Sequence, residues 1–324
     1  MTTVRQEQKP IRLDAASPNL TPRRLGHELP RIHKGGLNTI LSTVAVLEPP
    51  TTALAAIAEW WRVDADAGRP VRVATSTGQI RDAVAQDELA VVLHFQGTAP
   101  LGDNLDLIAA YQRLGLRVMQ LTYNHAGLVG DGCLEDRDAG LTQFGRRVLA
   151  EMQRVGVTVD LSHVGDRTCS DALAATSGPI IASHSNARAV CDSPRNLLDE
   201  HIRAIADSGG VIGLNAFPAF VSTDPVPTLD QLIDHAVYIA ELVGAAHVGL
   251  GFDYADEDED DYDYYGYDER YYPRPPWNWP TGIASWNDCA GLEDAFSRRG
   301  FSQLEIGGIL GENFLRAFDR TWRG

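Results

Sequence analysis

VGVTVDLSHVGDRTCSDALAATSGPIIASH, residues 155–184, reads as a strand, a helix and a second strand. Its two ends, 155–161 and 179–183, are β-branched and aliphatic and about as long as a strand, while the middle, 168–175, has helical apolar spacing. Each apolar run is followed by a histidine, His163 and His184, so two imidazoles should leave the ends of neighbouring parallel strands. Imidazoles converging in this way suggest a metal or acid/base site. The alternative is a pair of hydrogen-bonded histidines in a polar barrel mouth.

The same alternation recurs outward in both directions. Further strand-like runs fall at 11–14, 37–44, 89–96, 116–123, 210–215 and 247–253. Helical patterns lie between them at 53–67, 80–86, 105–114, 141–154, 198–207 and 229–243. A final helix is expected over 302–321, opened by Ser302 with Glu305 at capping-box spacing. Eight such repeats predict an α/β fold of the (β/α)8 TIM-barrel type, metallo-dependent hydrolase-like, rather than a doubly wound sheet. No GxGxxG follows the first strand, which weakens the dinucleotide-binding alternative. Without a linker before residue 250 or an internal repeat, residues 1–324 read as a single barrel domain. It carries an acidic Tyr/Trp-rich insertion loop at about 254–283.

Composition narrows the function classes. An apolar fraction of 44% in 324 residues allows a full core. The net charge of −16 argues against nucleic acid and anionic membrane as partners. No apolar run is long enough to span a bilayer and the first residues carry no apolar signal region, so a cytoplasmic protein is expected. Cys133, Cys169, Cys191 and Cys289 show no CxxC spacing and read as free thiols in packed positions. Nine acidic residues lie within 256–269, interleaved with Tyr262, Tyr264, Tyr265 and Tyr267. Such a run reads as a solvated loop; its aromatic content makes a lid or a subunit contact the rival reading.

A barrel of this kind carries its chemistry at the C-terminal ends of its strands. Gln96, Tyr123, Asn124, His163, His184 and Asp253 all fall at such ends. His163, His184 and Asp253 could hold one divalent cation, or Asp253 could act as a general acid or base. Two residues before Gln96, His94 faces the same way and is either a further ligand below the site or a satisfied core histidine. Arg188 and Arg195, in the loop after His184, could each grip a substrate carboxylate, one of them being structural. His125, in the Gly-rich HAGLVGDG loop, either contacts substrate or caps a loop.

From about residue 89 onward the chain resembles the membrane (renal) dipeptidase family of zinc peptidases. The resemblance rests on MQLTYN, GLTQFGRRVLAEMQRVGVTVDLSHV, SHSNARAVCDSPRN, GGVIGLNAFPAFVS, GLGFDYAD and IGGILGENFLRAF. It implies a (β/α)8 barrel that cleaves dipeptides at a binuclear zinc site. It also implies that His163 and His184 hold one zinc, that Asp253 is the catalytic aspartate, and that Arg195 holds the substrate's carboxylate.

Three departures from the family pattern change what the site can be. The first-strand Asp-Gly-His-Asn-Asp type motif is replaced by LDAASPNL, leaving Asp14 but putting Ala16 and Pro18 at two ligand positions. Gln96 stands where a bridging Glu is expected, and a neutral amide cannot hold two cations together. Tyr123 replaces the histidine between Thr122 and Asn124. These changes imply one zinc ion or none rather than two, completed by Asp253, Gln96 or His94.

The resulting expectation is a dipeptidase-like hydrolase of amide-type bonds in small carboxylate-bearing substrates, with a mononuclear or vestigial metal site. Its binding residues would be Arg195, Asn124 and His125, with Tyr123 and Asp253 catalytic. A metal-free lyase, isomerase or cyclase on the same barrel is the first rival. A non-catalytic protein binding partners through the acidic aromatic loop is the second. A two-fold homodimer is the expected assembly.

Overall fold

A computed structural model of the chain describes residues 9–322. The strands are β1 (Leu13–Ser17), β2 (Thr39–Ala45), β3 (Val71–Val73), β4 (Leu89–Phe95), β5 (Leu116–Gln120), β6 (Thr158–Asp160), β7 (Ile180–Ile181), β8 (Ile212–Leu214) and β9 (Val248–Leu250). All pair in parallel, in the order β1-β2-β4-β5-β6-β7, with β8 and β9 forming a second pair. A bridge from Ala182 to Ile212 joins β7 to β8. The Asp253 N–H donates to the Ala16 carbonyl at 3.0 Å, bringing the chain after β9 back to β1. Eight strands thus make the (β/α)8 barrel, while β3 pairs with the first half of β4, where β5 has not yet taken over.

The other expected strands sit at the right places but are shorter, whereas the first, expected at 11–14, runs from Leu13 to Ser17. The run expected at 155–161 contracts to β6 because Gly156, at φ +78°, caps the preceding helix Gln143–Val155 in the left-handed conformation. That helix opens on Thr142, whose hydroxyl accepts the Gly145 N–H. The helix expected over 302–321 is broken instead into Gln303–Gly307, one wide turn Gly308–Glu312, and Asn313–Thr321. The break serves packing: the Asn313 amide donates to the Ala245 and Val248 carbonyls, and a Cβ on Gly311 would lie 2.7 Å from the Ile11 oxygen. The Ser302–Glu305 capping box is present at its start. Helix Leu25–Lys34 and strand β3 escaped the sequence reading, the first because Pro30 lies inside it.

Two glycines set the approach of β8 and β9 to the site. A Cβ on Gly213 or Gly251 would stand 2.0 or 1.9 Å from the Ser183 carbonyl oxygen, immediately before His184. Gly251→Ala must therefore push Asp253 and His184 apart. A loss of about 3 kcal/mol or more in urea unfolding is expected; an unchanged midpoint would show that the strands can part freely.

The acidic stretch is not simply a solvated loop. Residues Glu259–Tyr265 form a helix whose cap, Asp258, accepts the Asp260 and Asp261 N–H groups. Glu259, Asp260 and Asp261 occupy its first turn, where negative charge suits the exposed N–H groups. The tyrosines behind them turn inward: Tyr262 and Tyr272 are buried with Phe217 and Phe220 in a separate apolar cluster.

Candidate active site

Asp160, at the end of β6, is the fixed point beneath the site. It is fully buried, and its carboxylate accepts the Ser162 and Ser183 N–H groups, the Ser183 hydroxyl and His94 Nε2, the last at 3.1 Å. Burial pushes its carboxyl up, but His94 and Ser183 outweigh that and hold it below the ordinary range. Asp160 was not singled out by the sequence reading. The visible signal was an acidic residue ending an apolar strand three positions before His163.

His163 and His184 are oriented from behind. His163 Nδ1 lies 2.7 Å from Asn124 Oδ1, an acceptor, so this nitrogen carries the proton. The Ser183 hydroxyl gives its proton to Asp160 and so accepts from His184 Nδ1 at 2.6 Å. Both Nε2 atoms are then bare lone pairs, and they face each other at 2.9 Å. Burial and the Arg195 charge hold both imidazoles well below their ordinary pKa, so a proton is a poor answer to that repulsion. A cation between them answers it, with the fixed outer hydrogen bonds that metal-binding histidines require.

Asp253 completes the group. One donor atom from each of His163, His184 and Asp253 lies within 4.8 Å of the others, the sole such cluster of metal-ligating side chains among the described residues. Burial raises the Asp253 carboxyl to about 7, against the pull of Arg195, Gln96 and Asn215. Asn124, His163 and Asp253 have φ of +53°, +63° and +62°. These are three of five such non-glycine residues among those described, and backbone strain gathered in one place is typical of a working site.

Among the described residues, the other positions expected near a metal do not belong to this group. Asp14 accepts from Trp286 Nε1, the Phe252 and Ala16 N–H groups and the Ser17 hydroxyl, at 2.8 to 3.3 Å, so it braces the closure of the barrel. Ala16 and Pro18 offer no ligand. The Gln96 amide turns its NH₂ towards Thr43 Oγ1 (3.0 Å) and Asp253 Oδ1 (3.5 Å), steadying the carboxylate rather than offering an oxygen. His94 is committed to Asp160 and lies outside the cluster. Neither takes the ligand position expected of it.

Of the two arginines, Arg188 is locked in a forked pair with Asp166 at 2.6 and 2.8 Å. Arg195 is buried over the Phe220 ring and donates through Nε to the Tyr272 hydroxyl and through Nη2 to the His184 carbonyl. Its Nη1 is sealed from solvent without a partner. His125 does not reach the site: it is exposed, and its Nε2 meets the Gly266 carbonyl at 2.7 Å, tying the acidic segment down.

That segment roofs the site. Tyr123 stacks on His163 with ring centroids 4.2 Å apart, and its hydroxyl meets that of Tyr267 at 2.7 Å. Tyr267 stacks on Tyr272, whose hydroxyl donates to Asn124 Oδ1 at 3.1 Å. Beneath this roof, between His163, Asp253, Glu257 and Tyr267, the free space is ≈ 30 Å³, room for only about two water molecules. A second cavity of ≈ 540 Å³ lies outside, and Trp277 belongs to the walls of both.

The barrel and this donor set define a metallo-dependent hydrolase-like protein. Residues 10–263 match the model of the membrane dipeptidase family, peptidase family M19, and the chain belongs to that family. It is 28% identical over 249 residues to an uncharacterized dipeptidase of Schizosaccharomyces pombe, covering 76% of this chain and 56% of that one. With an uncharacterized protein of Klebsiella pneumoniae it shares 29% identity over 274 residues, 79% of this chain and 91% of the other. The chain spans about half the length of several curated relatives it matches, 45% in the case of dipeptidase 3 of Rattus norvegicus. Among solved structures it is similar to an amidohydrolase from Pseudomonas aeruginosa, with TM-score 0.88, 29% identity and 97% of each chain covered. A metallo peptidase from Rhodobacter sphaeroides, liganded with a phosphinate mimic of a dipeptide, shares the fold at TM-score 0.82 and 23% identity, over 97% of this chain and 100% of that one. No helix among the described residues is long and apolar enough to cross a membrane.

Proposed function

We propose that this protein is a mononuclear metallohydrolase that cleaves amide-type bonds in small, dipeptide-like substrates bearing a carboxylate. The observation carrying this reading is the opposed pair of His163 and His184 lone pairs beside Asp253. A zinc ion or similar divalent cation held there would polarise the scissile carbonyl and acidify water. His163 and His184 would hold that ion, with Asn124 and Ser183 fixing their tautomers. Asp253, beside the histidine pair, is placed to take a proton from the attacking water and return it to the leaving amine. The unpartnered Nη1 of Arg195 is the donor for the substrate carboxylate, which displaces the Tyr272 hydroxyl from the guanidinium. A dipeptide does not fit the closed space, so the roof over 254–277 opens for entry, with Trp277 on the way from the outer cavity.

Elemental analysis of protein purified without added metal tests the reading. About one transition-metal ion per chain is expected, and a chelator that removes it should abolish dipeptide hydrolysis. Two ions per chain would overturn the mononuclear centre. Full turnover in chelator would favour the metal-free reading, with His163, His184, Asp253 and Tyr123 as proton carriers.

A further inference from the structure

The roof of the site brings in a carboxylate that the barrel itself lacks. Glu257 lies four residues after Asp253, and both line the closed cavity. Its Oε1 accepts from the Tyr267 hydroxyl at 3.2 Å, while its Oε2 is sealed from solvent and has no hydrogen-bond partner. A sealed, unpartnered carboxylate oxygen is costly unless a donor arrives. The chain provides none: no Lys or Arg lines the cavity. The remaining walls are largely aromatic, with Tyr123, Tyr265, Tyr267 and Trp277 around the same space. Carboxylates set among aromatic faces select a compact organic cation, because ring faces attract positive charge and the carboxylates accept its N–H groups.

We propose that Glu257 is a specificity-determining residue that binds the free ammonium group of the substrate, so that the protein takes amine-bearing substrates and rejects their N-acylated forms. The assignment deepens the hydrolase reading and rests on it for the rest of the substrate's placement. Arg195 would read the carboxylate end and Glu257 the ammonium end, with the scissile bond held between them near Asp253. The roof then has a reason to close: the ammonium supplies the missing partner of Oε2 and draws the segment at 254–277 down on the bound molecule.

The test compares a phosphinate mimic of alanyl-alanine with its N-acetyl derivative, by calorimetric titration of the purified protein, with metal content measured on the same samples. The two probes share the phosphinate and the carboxylate and differ in the ammonium. Wild type is expected to bind the free amine at least about tenfold more tightly. Glu257→Gln keeps an acceptor for Tyr267 and should reduce that ratio to below about threefold. Its affinity for the N-acetyl probe and its metal content should not change, and its thermal midpoint should not fall, since the amide removes a buried carboxyl whose Oε2 has no partner. A wild-type ratio near one, no binding of either probe, or a ratio that survives in Glu257→Gln would overturn the assignment. Protein lacking metal but preserving the ratio and its loss would leave the ammonium site standing and count against the hydrolase reading alone.

Discussion

Replacing His163 or His184 with alanine is expected to empty the metal centre and to remove turnover, by on the order of 10³-fold or more, since a metal contributes several kcal/mol to the transition state. Each imidazole supplies one lone pair to a shared point, and the other cannot hold a cation with Asp253 alone. The scaffold should survive either change, because the barrel is held by its strand ladder and by the closure through Asp14 and Ala16, none of which these rings support. Metal content by mass spectrometry and far-ultraviolet circular dichroism on the same samples check both halves. Ser183→Ala is the graded companion. It removes the acceptor that sets the His184 tautomer and should weaken metal affinity by about 10- to 100-fold without abolishing it. A His184→Ala protein that still holds one ion per chain would place the metal elsewhere.

Asp253→Asn should abolish activity yet stabilise the metal-free protein at alkaline pH. The folded chain raises this carboxyl from 3.8 to about 7, chiefly through burial, so the folded state binds its proton more tightly than the unfolded state does. The group's contribution to stability is therefore fully present below about pH 4 and is lost as pH rises through about 7. Asparagine does not titrate. Its advantage over wild type in chelator should grow across that window to on the order of 2–4 kcal/mol at pH 8. Saturating metal should reverse the order, since a bound cation repays the charge that burial penalises. Urea unfolding at pH 5 and pH 8, with and without metal, reads this directly; a difference flat in pH would mean that Asp253 is not desolvated. Loss of function with gain of stability is the usual signature of a residue kept for chemistry.

The nearness of three candidate residues was legible because barrel strands announce their ends. His163, His184 and Asp253 each follow a short apolar run, and the structure gathers the three within reach of one ion. Arg195 was separated from Arg188 by packing alone, since Asp166 claims the second guanidinium from across the loop. His94, Gln96 and His125 show the limit of strand-end reasoning. Position on a strand places a side chain near the mouth, but its partner decides its role: Asp160 for His94, Asp253 for Gln96, the Gly266 carbonyl for His125. Glu257, Tyr267 and Tyr272 were hidden within a run that resembles a solvated acidic loop. Their inward turn depends on a helix capped by Asp258 and on contacts with Phe217 and Tyr123, far apart in the chain.

Residues 155–184 thus carried in their own order the strand, helix, strand unit, its parallel sense and the two histidines at its ends, since apolar period and chain direction are local properties. The departures from the family pattern were equally local, written in Ala16, Pro18 and Gln96. Only the tertiary structure decided that the histidine lone pairs oppose each other, because their tautomers are set by Asn124 and by Ser183 on Asp160. It alone also decided that an acidic, tyrosine-rich stretch closes over them. Hydrogen-bond commitments and burial join residues distant in sequence, and no periodicity along the chain records them.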